Sequence, residues 1–202
     1  MRAALAVAFM LAAPLALAAQ TTEAPATPPA PLSEEQQVAS AVLPLPAEFR
    51  EHARVLGYRA GSPKLVVLRE GTGPFTCLAS DPAASRFHVA CYHRSLEPFM
   101  ARGRALRAAG TTGAKVDSVR FAEVKRGRLA MPRQAALYSL TGKAGSYDAD
   151  TNTVTGARPL IVVYIPDATE SSTGLSAKPA EGSPWIMFPG TPKAHIMFVP
   201  KM

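Results

Sequence analysis

The two cysteines of the chain, Cys77 and Cys91, fall within one stretch, FTCLASDPAASRFHVACYHRS from Phe75 to Ser95, and no other feature constrains the fold as tightly. Each lies in a short run of strand character, FTCLAS and RFHVACYH, with a polar loop between. Whether such a pair forms a disulfide, holds a metal or supplies a thiolate depends on the compartment. The first residues speak to that. MRAALAVAFMLAAPLALAAQ has one positive charge at Arg2, an apolar run, a break at Pro14, and small residues at Ala16 and Ala18. That is the pattern of a cleavable secretory signal over residues 1–19, which places the chain in the periplasm or outside the cell. No later run reaches the roughly 18 apolar residues of a membrane-spanning helix, so no transmembrane segment is expected after cleavage.

In an oxidising compartment, two cysteines on adjacent strands form a disulfide. Closing a loop of about 15 residues contributes about 3 kcal/mol, a large share of a net stability of roughly 5–15 kcal/mol. A zinc or copper site from Cys77, Cys91, His88 and His93 is the alternative. It suffers from strand parity, because Cys91 and His93 point to one face and His88 to the other. The spacing also lacks C-x2-C or H-x3-H. The sequence therefore implies a disulfide between Cys77 and Cys91, with no metal and no cofactor.

At 202 residues the chain suits one domain with a real core. Residues 20–32, rich in Pro, Thr and Ala, are too poor in large apolar groups to offset their ordering entropy and read as a disordered tether. Residues 33–202 form the domain. Ser33 and Gln36 make a capping box for a short helix carrying Val38, Ala41 and Val42. ARVLGY, KLVVLRE, FTCLAS and RFHVACYH follow as strands separated by turn residues, the pattern of an antiparallel meander. Ser95 then caps a helix whose Leu96, Phe99, Met100, Gly103 and Leu106 share one arc, with Gly110 at its end. A second helix is expected over Asp117–Lys125 with Val119 or Val124 inward, stopping at Gly127. QAALYSL, RPLIVVYIP and the run from Ala194 to Val199 add strands, and residues 141–157 read as a long polar loop. The expected class is α+β: one antiparallel meander sheet packed against two or three helices, with one disulfide.

Lys and Arg outnumber Asp and Glu by 22 to 15, giving a net charge of +7, and signal cleavage removes only Arg2. Such a surface favours an anionic envelope component as partner; nucleic acid is not expected for an exported chain. The densest basic run, Arg120, Lys125, Arg126, Arg128 and Arg133, reads as a solvated helix face. Asp148, Asp150 and Asn152 alternate as calcium ligands do, but Thr153 replaces the turn glycine and Pro159 the bidentate Glu, so Asx-turns account for them. Ser171 and Ser172 lack the G-x-S-x-G elbow of a hydrolase nucleophile. His195 shares a strand face with Met197 and Val199, as a packed core histidine would. His93, Arg94, Trp185 and His195 are the residues from which a pocket would be furnished, being polar groups among apolar neighbours.

REGTGPFTC, a second Cys, and a PW segment leading into HIM together resemble a group of exported bacterial proteins with no assigned activity. Phe75 and Ala194 stand where that group often has Trp and Pro. The resemblance covers about a third of the chain and implies export and one domain bracketed by those segments. Two functional expectations remain. The first is a non-enzymatic binding or interaction domain for a small molecule or an anionic envelope component. The second is an extracytoplasmic hydrolase or metal-dependent enzyme built on His93 and His195, which requires those histidines to meet in one pocket.

Overall fold

A computed structural model of the chain describes residues 32–200. The expected signal segment and all but the last residue of the expected tether lie outside the described residues. Among those described, no helix is long and apolar enough to cross a membrane.

The domain is α+β. Its large sheet contains β1 (Arg54–Tyr58), β2 (Leu65–Arg69), β3 (Phe75–Leu78), β4 (Arg86–His93), β5 (Ala135–Lys143), β8 (Arg158–Tyr164), β9 (Trp185–Met187) and β10 (His195–Phe198). They lie in the order β2-β1-β3-β4-β5-β8-β10-β9. A separate hairpin, β6 (Tyr147–Asp148) with β7 (Thr153–Val154), occupies the stretch expected to be a polar loop. It forms because Tyr147 finds a partner, its ring stacking on Phe87 of β4 at 5.6 Å. Asp148 accepts from the Asp150 amide at 2.9 Å, and Asn152 takes a positive φ of 52°, so the calcium-like residues are turn formers.

The sheet is mixed, not a simple meander. β1 pairs antiparallel with β2 but parallel with β3. The reason lies in the loop from Glu70 to Pro74. It does not turn β2 back on itself; it crosses beneath the start of β1 and delivers β3 on the other side. Two glycines make the crossing possible. The Gly73 amide donates to the His52 carbonyl at 2.8 Å, and a Cβ at Gly71 would stand 2.4 Å from the Arg54 nitrogen. Any side chain at Gly71 forces two backbones apart. Gly71→Ala is expected to cost about 2 kcal/mol, the scale of an overpacked contact, and to lower the thermal midpoint. An unchanged midpoint would mean that the crossing yields freely.

The two faces of the sheet have separate cores. On one, α1 (Glu34–Ala41) is started by the expected capping box: the Gln36 amide donates to Ser33 Oγ, and the Ser33 amide to Gln36 Oε1. The buried Gln37 amide then bonds both the N–H and the C=O of Tyr58 at 2.8 Å, tying α1 to β1. Ala41, Val42 and Leu45 pack here with Val55, Phe75, Cys77 and Cys91, and Phe49 of α2 (Ala47–Arg50) joins them. Cys77 and Cys91 face each other across β3 and β4 and are joined as a disulfide, fully buried beneath α1.

The other face carries Tyr92, Val162, Tyr164, Leu137 and Met197, covered by Leu96 and Met100. These enter through a 3₁₀ turn, Arg94–Leu96, and α3 (Glu97–Ala108). Ser95 does not cap α3 as expected. It sits inside the 3₁₀ turn, where the His93 ring accepts its amide and contacts its hydroxyl. α4 (Ala114–Lys125) turns Val116 and Arg120 inward rather than Val119 or Val124. Arg120 is only 4% exposed, so it leaves the basic helix face to which the sequence assigned it. Its guanidinium lies 3.9 Å over the Phe99 ring, donates to the Phe99 carbonyl, and pairs with Asp117, which also binds Lys193 at 2.9 Å. Gly103 makes room for it, since a Cβ there would stand 2.9 Å from Arg120 Nη1. α5 (Glu170–Thr173) is a single turn capped by Thr169, and it accounts for Ser171 and Ser172 as helix-start residues.

Candidate functional site

Strand parity decides what the sequence-expected pocket residues can do together. His93 pairs with Phe75, and its ring meets Phe75 edge-on at 5.9 Å, which places it on the disulfide face. His195 pairs with Tyr164 and packs against its ring at 5.0 Å, which places it on the opposite face. Three strand steps also separate them, about 14 Å of sheet. The structure does not bring the two histidines together. His88 and His93 likewise take opposite faces, both cysteines are committed to the disulfide, and no cluster of metal-binding side chains occurs among the described residues.

Trp185 and His195 share a face on neighbouring strands, but both are buried at 6% exposure. The His195 Nδ1 lies 2.7 Å from the Lys193 carbonyl, which can only accept, so Nδ1 carries the proton. Burial, above all, pushes its pKa below the ordinary histidine value, and this ring packs as a neutral core residue. Phe188, a bulky residue with a positive φ of 53°, leans on it from the surface.

Of the four, Arg94 lines a cleft. This cleft, of about 300 Å³, opens on the helix-pair face, where the starts of β1 and β3 meet the 3₁₀ turn and α3. Arg54, Glu70, Gly71, Thr76, Arg94 and Glu97 line it. Each arrives for a local reason. Arg54 and Thr76 are register partners across the parallel β1–β3 pair, so they stand side by side on one face. Glu70 and Gly71 belong to the crossing loop, held down by its glycines. Arg94 and Glu97 are fixed by the turn into α3, where the Arg94 guanidinium donates to the Gly71 carbonyl and braces the rim.

Behind the cleft sits a closed polar network. The buried Tyr92 hydroxyl donates to Glu97 Oε2 and accepts from Arg104 Nη1 at 2.8 Å, while Arg104 Nη2 binds Glu97 Oε1 at 2.6 Å. Burial first, then the bond to Glu97, pushes the Tyr92 pKa far above the usual phenol range, so the hydroxyl keeps its proton. Glu97 is thus neutralised by Arg104. The other charged groups of the lining are Arg54, Arg94 and Glu70.

Those two guanidiniums are under-used. Arg54 makes one ionic contact, Nε to Glu70 Oε2 at 3.4 Å, and no side-chain hydrogen bond within the described residues. Arg94 spends one donor on Gly71. A guanidinium offers five N–H donors in a planar fork, so most of the donors here have no protein acceptor. Donors of this kind can bind an oxyanion.

Sequence reasoning passed over Arg54, Glu70, Gly71, Thr76 and Glu97. One signal was available: Arg54 and Thr76 each share strand parity with an apolar residue, Leu56 and Leu78, so each is a polar group on a covered face. Comparisons with protein-family models, with characterised proteins and with solved structures find no match to this chain.

Proposed function

We propose that the chain is an exported, non-enzymatic binding domain, and that the cleft between Arg54 and Arg94 is its site for a small oxyanion, either free or carried on an envelope component. One observation carries this reading: two guanidiniums converge on a cavity while most of their donors lack acceptors. A cavity of about 300 Å³ is at the small end of ligand sites, which suits a compact acid or the acidic end of something larger. The basic balance of the whole chain, +7, adds long-range attraction for such a ligand. Glu70, Gly71 and Thr76 of the cleft lie in REGTGPFTC, one part of the two segments, Arg69–Cys91 and Trp185–Pro200, on which the resemblance rests. The expectation of an enzyme built on His93 and His195 loses its premise, because the sheet lies between them.

The test is a titration of the matured chain with acetate and with inorganic phosphate at low ionic strength. Arg54→Gln is expected to weaken binding at least tenfold, the scale of a lost charge-assisted hydrogen bond. Arg133→Gln, an exposed cation outside the cleft, should leave it unchanged. Equal loss in both variants would reduce the interaction to diffuse surface charge, and binding indifferent to ionic strength would remove its electrostatic basis.

A further inference from the structure

Glu70 is the only carboxylate of the cleft that the protein does not tie down. Glu97 is gripped by Arg104 and Tyr92, and elsewhere Glu123 is held by Arg102 through contacts of 2.6–3.1 Å. These are closed pairs, at charge-assisted hydrogen-bond distance. Arg54 and Glu70 stand 3.4 Å apart, with Glu70 79% exposed and Arg54 29%. That is a loose contact of the kind that contributes little to stability. Yet its backbone is held in place, because the neighbouring Gly71 is pressed onto residues 52–54. The crossing loop therefore holds a loosely paired, mostly exposed carboxylate beside a guanidinium that has no other protein acceptor among the described residues.

From this juxtaposition we infer that Glu70 is a built-in competitor for the cleft, and that the natural ligand binds through a carboxylate, which displaces that of Glu70 from Arg54. The inference rests on the oxyanion reading above and names its ligand class. Arg54 already faces a carboxylate through its Nε, and a ligand carboxylate free to approach can present both oxygens to the guanidinium fork. On binding, Glu70 swings to solvent at small cost, since its side chain is already mostly exposed. Its negative charge remains near the mouth and disfavours a second anion, so the cleft holds ligands weakly and releases them readily. Removing that charge converts a self-screened site into an open one.

The experiment follows acetate and inorganic phosphate binding to the full matured chain through the arginine Nε–H resonances. It compares the parent with Glu70→Gln, Glu70→Ala and, as control, Glu181→Gln. Glu181 makes the same 3.4 Å exposed contact, with Arg158, away from the cleft. Both Glu70 variants are expected to bind acetate about fivefold more tightly, the ratio that releasing a loose ion pair allows. Glu181→Gln should bind as the parent does. Acetate binding that is unchanged or weaker in both Glu70 variants overturns the competitor role while leaving the oxyanion site standing. Phosphate binding without acetate binding overturns the carboxylate class. No binding of either anion to any variant overturns the oxyanion reading and this inference with it.

Discussion

Replacing Asp117 with Ala is expected to destabilise the domain by about 3 kcal/mol, lowering the thermal midpoint by roughly 6–12 °C for a domain of this size. The cause is what remains behind. Arg120 is 4% exposed, and its Nε already lacks a partner. Without Asp117 its guanidinium keeps only the Phe99 carbonyl and the Phe99 ring. A buried charge stripped of its counter-ion costs about 3–5 kcal/mol, and the lower end applies because Asp117 is itself 24% exposed and admits some water. Lys193 loses its carboxylate too, and with it the bond between α4 and the approach to β10. Arg120→Met should cost much less, since it removes the buried charge and leaves Asp117 paired with Lys193. If the two variants were equally unstable, packing rather than charge would govern the site.

The same pair makes the domain acid-sensitive. Burial by itself would raise the Asp117 pKa, but the hydrogen bonds from Lys193 and Arg120 outweigh it and hold the carboxyl below its ordinary value. A carboxyl depressed in the folded state binds fewer protons there than in the unfolded chain. Its stabilisation is therefore complete above the unfolded value of about 4, and is lost as pH falls through the folded value beneath that. The parent should lose stability more steeply than Asp117→Ala below about pH 4, so the two unfolding curves converge on acidification.

Removing the disulfide has an effect of similar size by a different route. Cys77→Ala with Cys91→Ala is expected to cost about 3 kcal/mol, chiefly by returning loop-closure entropy to the unfolded chain. Both sulfurs are fully buried under α1, so the small voids left by two alanines add to the loss rather than offset it. Urea unfolding with and without reductant measures it directly: the parent should shift on reduction, and the double variant should not. The bridge also matters for the cleft. Thr76 and Tyr92 are register partners immediately beside Cys77 and Cys91, on the reverse face. Loosening the bridge frees the strand that carries the cleft floor, so anion affinity should fall along with stability.

Much of the fold was legible because local chemistry repeats itself in the structure. Ser33 with Gln36, the strand runs of β1 to β5, and the Cys77–Cys91 pair all express rules that act over a few residues. The failures share a different origin. Gly71 and Gly73 announce a turn, but whether the chain reverses beside β1 or passes beneath it depends on what β1 presents there. Arg120 defeats a hydrophobic template because its inward position is made tolerable by Phe99, Asp117 and Gly103, from two helices. The β6–β7 hairpin rests on one aromatic contact from Tyr147 to a distant strand. The cleft was least legible, because Arg54, Glu70, Thr76 and Arg94 come from different elements and only the sheet order collects them. Parity did foretell one thing correctly: His88 and Cys91 face opposite ways.

The most direct measurement is the set of arginine side-chain resonances of the parent chain during an acetate titration. Arg54 and Arg94 should move together with one dissociation constant, while Arg102 and Arg104, closed by Glu123 and Glu97, stay where they are. Shifts that spread evenly over Arg126, Arg128 and Arg133 while Arg54 stands still would contradict a built receptor between β1 and the start of α3.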